Sequence, residues 1–262
     1  MTSAKITARH DGAIGWLVID NPERRNAVTY EMWAAIPEAL EGFARDFAIR
    51  AIVVTGSGEE AFASGADISE FAERRATPEA VAHYNATTTH AHAALIEIAK
   101  PTIAMIHGFC IGGGLALALC CDIRMAAEGS RFGVPAARLG LGYRYDGVKR
   151  LVDLVGPAYA REIFFTARRF DAKEALQMGL VNAVLPKEAL EAAVKETVDT
   201  IAANAPLTIA AAKLAIEEAL KDPAERDLAS VDEAVEACFK SQDYIEGRQA
   251  FVEKRRPKFR GV

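Results

Sequence analysis

The stretch Gly108–Asp122, GFCIGGGLALALCCD, constrains the chain more than any other. Three consecutive glycines, Gly112 to Gly114, lead into good helix formers with no polar side chain before Asp122. Glycine permits backbone conformations and close approaches that a Cβ blocks. A helix start exposes unpaired N–H groups carrying partial positive charge. The run therefore predicts a buried helix whose first turn meets either tightly packed backbone or a partly negative ligand atom. Its spacing is not that of a Walker loop, since no Gly-Lys-Ser/Thr follows, nor of GxGxxG.

A second stretch, EEAFASGADISEF at residues 59–71, carries another small-residue turn after an apolar run. Two such turns, each following a strand, can aim two backbone N–H groups at one oxygen, which is what an oxyanion hole requires. Side chains are unnecessary for that task, so alanine and glycine are the expected residues. Tight helix–strand packing is the alternative that needs no function.

The first half of the chain alternates strands and helices. ITARHDGAIGWLVIDN reads as a hairpin with turn chemistry at Asp11-Gly12. TYEMWAAIPEALEGFARD is helical with Thr29 as N-cap, and a later helix has Thr77 as cap and Pro78 at its first position. RAIVVTG, PTIAMIHG and CDIRMAAE read as strands. The pattern predicts an α/β or spiral β/α core. Further on, Asp171 and Glu174 stand at capping-box spacing. From Lys187 to about Lys254 the chain reads as helix upon helix, with one boundary near residue 200. That divides it into a core over 1–200 and a helical region over 201–262.

With 262 residues, 51% of them hydrophobic, the chain has ample material for a folded core. A net charge of −5 gives no footprint for nucleic acid. No apolar run reaches the roughly 20 residues of a membrane span, and MTSAKITARH lacks a signal peptide's apolar segment. The four cysteines, Cys120 and Cys121 adjacent, suit buried thiols in a reducing compartment. A cytoplasmic protein is expected.

NPERRNAVTYEM, FASGADISEF, the long stretch from PTIAMIHG to PAARLGL, ARRFDAKEALQMGLVNAVLP and DYIEGRQAFVEKRRPKF occur in this order. Together they resemble the landmarks of the crotonase superfamily, the enoyl-CoA hydratase/isomerase relatives, over essentially the whole chain. The resemblance implies a crotonase-like spiral of ββα turns followed by a helical region that forms homotrimers, often paired into hexamers. It implies an acyl-CoA thioester as ligand, with coenzyme A as part of the substrate and no separate cofactor or metal. The N–H groups of Ala66 and Gly113 match those that hold the thioester oxygen as it becomes an enolate. Asp67 and Ile68 continue the strip lying against CoA, and Arg24 matches a basic position near its phosphates. Phe251 and Lys254 match residues reaching CoA from the C-terminal helices. The plain alternatives are surface charge for Arg24 and Lys254 and core packing for Phe251.

Hydratases of this family carry two glutamates that activate water and deliver its proton. The matching positions here are Ala116 and Ala136. Alanine exchanges no proton, and general acid–base help is worth typically about 10²–10⁴-fold. The segment LGLGYRYDGVKRL instead supplies Tyr143, Arg144, Tyr145 and Asp146. Tyr143 falls where methylmalonyl-CoA decarboxylases of the superfamily carry an active-site tyrosine, although those enzymes keep a glutamate at the place of Ala116. The rival reading is that Tyr143 fills space. Asp146 is either a displaced acid or base or the cap of the helix GVKRLVDLVG. Among His83, His90 and His92, His90 is the best spare base, with a solvated helix histidine as the alternative.

Three readings compete at this level. The first is an acyl-CoA enzyme using an enolate for decarboxylation, isomerisation or thioester cleavage, with malonyl-type or other carboxylated thioesters favoured by Tyr143 and Arg144. The second is an enoyl-CoA hydratase of low activity. The third is a non-catalytic CoA-binding subunit, and the two intact oxyanion turns argue against it.

Overall fold

The chain opens on a hairpin in which β1 (Lys5–Asp11) and β2 (Ile14–Asp20) pair antiparallel, with Asp11 opposite Ile14. Gly12, in the two-residue connection, has φ +56°, the left-handed conformation that a tight hairpin turn demands. α1 (Tyr30–Arg45) then leads to β3 (Ala51–Gly56), which pairs in parallel with β2. The computed structural model describes residues 4–262. The reading of the N-terminus as lacking a leader's apolar segment falls partly on residues 1–3, outside the described residues.

From β3 onwards the strands come in pairs whose members enter different sheets. β3 is followed by β4 (Ala61–Ala63), then by the short α2 (Phe71–Arg74) and the long α3 (Pro78–Glu97). β5 (Thr102–Ile106) is followed by β6 (Phe109–Ile111) and α4 (Gly113–Leu119). β7 (Ile123–Ala127) is followed by β8 (Arg131–Gly133), α5 (Ala136–Leu139) and α6 (Tyr145–Thr166). β9 (Phe170–Asp171), α7 (Ala172–Gln177) and β10 (Ala183–Leu185) complete the winding. β3, β5 and β7 join the β1–β2 hairpin and β10 in a six-stranded sheet of order β1-β2-β3-β5-β7-β10, while β4, β6 and β8 join β9 in a four-stranded sheet of order β4-β6-β8-β9. This is the expected spiral of ββα turns.

Alternation along the strands divides the core. Leu17, Ile19, Ile52, Val54, Ala104 and Ile106 face the larger cluster, which holds α1, α3, α4 and the small sheet. Their neighbours Trp16, Ala51, Val53, Ile103 and Met105 face the other way, onto Leu190, Val194 and Val198 of α8 (Leu190–Ala202). α8 thus runs across residue 200 with its apolar stripe seated on the large sheet. Beyond it lie α9 (Pro206–Leu220), α10 (Leu228–Lys240) and α11 (Gln242–Glu253), which bury few side chains, α10 none. Among the described residues no helix is long and apolar enough to cross a membrane.

The local signals act as expected. Met32 N–H donates to Thr29 Oγ1 at 3.2 Å and Ala80 N–H to Thr77 Oγ1 at 3.2 Å. In the capping box, Glu174 N–H donates to Asp171 Oδ1 at 2.8 Å and Asp171 N–H to Glu174 Oε2 at 2.9 Å. One expectation fails. Asp146 is not a cap, because α6 starts at Tyr145 with Arg144 at the N-cap position and no side-chain cap bond. Asp146 sits inside the first turn instead. The same helix passes Gly156, at φ 73°, through a kink before Pro157, so it outruns the GVKRLVDLVG segment.

A single carboxylate ties α9 to the sheet. Asp122 Oδ2 accepts from Thr102 N at 2.7 Å, Thr102 Oγ1 at 2.9 Å and Lys213 Nζ at 2.9 Å. Asp122→Ala leaves the Lys213 ammonium, 10% exposed, without its carboxylate and with only the Lys100 carbonyl at 3.3 Å. The expected loss is about 2–3 kcal/mol in urea unfolding, in line with a hydrogen bond to a charged group; a change below about 0.5 kcal/mol would show that the tie is idle.

Candidate active site

The glycine run turns between β6 and α4. Gly112 has φ 54° and ψ −117°, a conformation that a Cβ-bearing residue avoids, and its N–H donates to Gly133 O at 2.8 Å. That bond anchors the turn to β8. Gly113 is the first residue of α4, so its N–H has no acceptor within the helix. The facing turn is held by α1's approach: Val28 N–H donates to Gly65 O at 2.8 Å and Asp67 N–H to Val28 O at 2.9 Å. The N–H between them, that of Ala66, takes no part in this pairing. A Cβ on Gly113 would stand 3.2 Å from the Ala66 nitrogen. Glycine is what lets the two N–H groups lie side by side.

They open on a pocket of about 460 Å³. Its wall includes Ala66, Ile68, Gly113, Tyr143 and Asp146, together with Ala116 and Ala136. The structure therefore brings the two turns, the two alanines and the tyrosine segment to one cavity. Tyr143 is half-buried, with its ring edge-on to Phe164 at 5.1 Å. Its hydroxyl lies 3.9 Å from the Cβ position of Gly112, beside the glycine turn. Burial raises its pKa, so the phenol is neutral at pH 7 and donates. Asp146 and Arg144 are exposed at the rim.

Asp67 supports the turn from below. It is buried and accepts from Ser69 N at 3.0 Å, Ser69 Oγ at 2.7 Å and Arg24 Nη1 at 2.8 Å. Burial pushes its carboxyl up, but the Ser69 and Arg24 contacts outweigh burial and hold it below the usual range. Arg24 is thus the ion-pair partner of Asp67, its own side chain exposed, and neither residue lines the pocket. Ile68, 64% exposed, continues the strip outward. Phe251 and Lys254 do not line this pocket within one chain. Phe251, 86% exposed, borders an apolar groove between α9 and α11, and Lys254 ends α11 in the left-handed conformation.

Of the two readings of His90, the structure fits the solvated helix histidine and not the spare base. His90 is exposed and outside the pocket, and His83 lies against Tyr30, its Nε2 2.8 Å from the Tyr30 hydroxyl. His92 is the one on the wall, since it sits on the inward side of α3. Burial, and secondarily Arg150, bring its pKa down to about 4, so its imidazole is neutral at pH 7. Arg150 is ion-paired to Glu217 at 2.9 Å. Cys120 also lines the pocket, but burial pushes its thiol up to about 12, far from a ready nucleophile. Trp33, Arg75 and Tyr84 were missed by sequence reasoning. They come from α1, the loop after α2, and α3, and no linear spacing links them.

Comparison with known proteins gives the family. The enoyl-CoA hydratase/isomerase family model matches residues 9–262. The chain is 34% identical over 259 residues to a crotonyl-CoA hydratase of Syntrophomonas wolfei, covering 99% of each protein. It is 34% identical to a short-chain-enoyl-CoA hydratase of Clostridium acetobutylicum, covering 94% of each. A solved enoyl-CoA hydratase/carnithine racemase from Magnetospirillum magneticum superposes with a TM-score of 0.92 at 38% identity, with 98% of this chain and 96% of that one covered. By sequence along nearly its full length and by fold, the chain belongs to the enoyl-CoA hydratase/isomerase family.

Proposed function

We propose that the protein transforms an acyl-CoA thioester through an enolate, without the paired-glutamate route to hydration. The observation that carries this reading is the pair of neighbouring N–H groups of Ala66 and Gly113, opening on a pocket whose two glutamate positions are Ala116 and Ala136. A thioester carbonyl seated on both donors gains negative charge when its α-carbon loses a proton or a carboxylate. Each such donor is worth roughly 3–4 kcal/mol at the transition state. Two alanines cannot position water or exchange its proton, so addition of water to a double bond loses its acid and base.

Tyr143 supplies what polar chemistry the segment after α5 brings to the turn. Its neutral hydroxyl is placed to donate to the developing enolate or to a departing group on the α-carbon. Asp146 at the rim is within the same pocket and is the one carboxylate on its wall among the described residues, so it is the candidate for returning a proton. The buried Cys120 thiol stays protonated, which weighs against thioester cleavage through a cysteine acyl intermediate. Decarboxylation and isomerisation remain the reactions best matched to the groups present.

The same reading extends to assembly. α9, α10 and α11 leave an apolar groove of about 830 Å³, flanked by Phe239 at 60%, Phe251 at 86% and Val252 at 80% exposure. We assign this face to contacts within a homotrimer or a dimer of trimers, which would also set Phe251 and Lys254 to meet CoA. Light scattering at micromolar concentration is expected to give a trimer or hexamer, and Phe251→Asp to weaken it. A monomeric wild type would overturn the assignment.

Two kinetic outcomes test the chemistry. Crotonyl-CoA hydration is expected at least about 100-fold below that of the Syntrophomonas wolfei protein assayed alongside, the lower end of general acid–base help. An equal rate would mean that another acid serves in place of the glutamates. Tyr143→Phe, which removes only the hydroxyl, is expected to lower kcat/KM on any processed thioester by roughly 10-fold or more, as loss of one hydrogen bond to developing charge does. Unchanged turnover and binding would make Tyr143 packing.

A further inference from the structure

The proposed chemistry leaves a group of buried polar atoms unused, and they lie together. Trp33 Nε1, Arg75 Nε, Tyr84 Oη and His92 Nε2 are buried without a hydrogen bond of good geometry among the described residues, although Arg75 and Trp33 both approach the Tyr84 hydroxyl. All four side chains line the pocket that holds Ala66 and Gly113. Trp33 and Tyr84 are each 2% exposed. Native interiors tolerate few unpaired polar atoms, and each one calls for a reason. Four on the wall of one cavity point to a ligand that completes them.

Their chemistry describes that ligand. The indole and guanidinium N–H groups can only donate, and the tyrosine hydroxyl and neutral imidazole can also donate. The missing partner is therefore an acceptor, and its charge is set by Arg75. This guanidinium forms no ion pair among the described residues. It stacks on Phe71, 4.0 Å from the ring centre, and on Tyr84, 4.5 Å away. Arg150, the other cation on the inner wall, already has Glu217. With alanine at positions 116 and 136, the one carboxylate among the described residues of the pocket wall is Asp146, exposed at the rim.

Position limits size. Trp33 Cζ2 lies 3.5 Å from the Cβ position of Gly113, so the indole borders the oxyanion turn. His92 meets the indole edge-on at 5.3 Å. The cluster begins beside the thioester carbonyl and not at the end of a long tunnel.

We propose that Arg75, Trp33, Tyr84 and His92 form a carboxylate site, and that the substrates are CoA thioesters of short dicarboxylic acids. Arg75 supplies the charge and the other three orient the carboxylate relative to the enolate. This rests on the acyl-CoA reading and narrows it to an acyl chain ending in a second carboxylate. Relative to an uncharged pocket, such a site selects by both attraction and the cost of leaving its donors unpaired.

The test is competition binding of glutaryl-CoA against valeryl-CoA, and of malonyl-CoA against propionyl-CoA, each pair matched in carbon number. Wild-type protein is expected to favour the carboxylated member of at least one pair by about 10-fold or more, the scale of a charge-assisted hydrogen bond. Arg75→Gln is expected to weaken that member by roughly 10- to 100-fold and its uncharged counterpart by less than about twofold. Tyr84→Phe, isosteric at a buried ring, is expected to give a smaller loss with the same selectivity, and it carries the test if Arg75→Gln fails to fold. Tight valeryl-CoA or propionyl-CoA binding without preference for the carboxylated partner, or equal losses for both members in the variants, overturns this inference alone. Binding of no thioester by the wild type overturns the acyl-CoA reading, and this inference with it.

Discussion

The close approach of two backbone turns is the constraint on which the site depends. The turn after β4 and the turn after β6 come from successive windings of the spiral, and they touch through atoms that no side chain separates. A Cβ on Gly114 would stand 2.3 Å from Ala63 O, and one on Gly113 would crowd the Ala66 nitrogen at 3.2 Å. Glycine at both positions lets α4 begin directly against β4, so that the first N–H of a helix and the N–H of a neighbouring loop converge. Helix-end polarity then adds to two fixed donors, in a setting where burial strengthens electrostatic interactions.

Around that fixed pair the polar groups have moved. The two positions that the resemblance matches to the hydratase glutamates hold alanine, Ala116 and Ala136, and both line the cavity. Its wall carries Arg75, Arg144 and Arg150 against one exposed carboxylate, Asp146. His92 does not add to this balance, because burial keeps it neutral. On the reading proposed here, the site is an anion-tolerant pocket built on two backbone donors that would stabilise an enolate. The alanines proposed to disfavour hydration share the cavity with the Tyr143 ring and, on the same proposal, leave room for charge on the acyl chain.

The C-terminal helices show a different physics. α8 belongs to the core because its apolar stripe meets the outward face of the large sheet. α9 is joined to the core by the Asp122–Lys213 contact more than by apolar burial. The apolar surface left on α9 to α11 exceeds what isolated helices on a surface need, which is the physical basis for assigning it to subunit contacts.

What the sequence determined by itself was local or carried by ordered motifs. The caps at Thr29, Thr77 and Asp171 involve bonds three residues apart, so short-range chemistry settles them. Gly12 and the Gly112–Gly114 run declare backbone geometry that other residues resist. Five motifs in order were enough to name the family, and with it the spiral, although no repeat is visible in the residues themselves. The start of α6 escaped because its N-cap, Arg144, makes no side-chain bond and so leaves no signature. Only the tertiary structure could decide which histidine of α3 faces the cavity, since Trp33, not the helix's own pattern, receives His92. Only it could gather Trp33, Arg75 and Tyr84, which stand on separate elements and have no spacing in common. Their meeting depends on how α1 and α3 pack on each other, and packing of distant segments is decided by burial in three dimensions and not by any local preference.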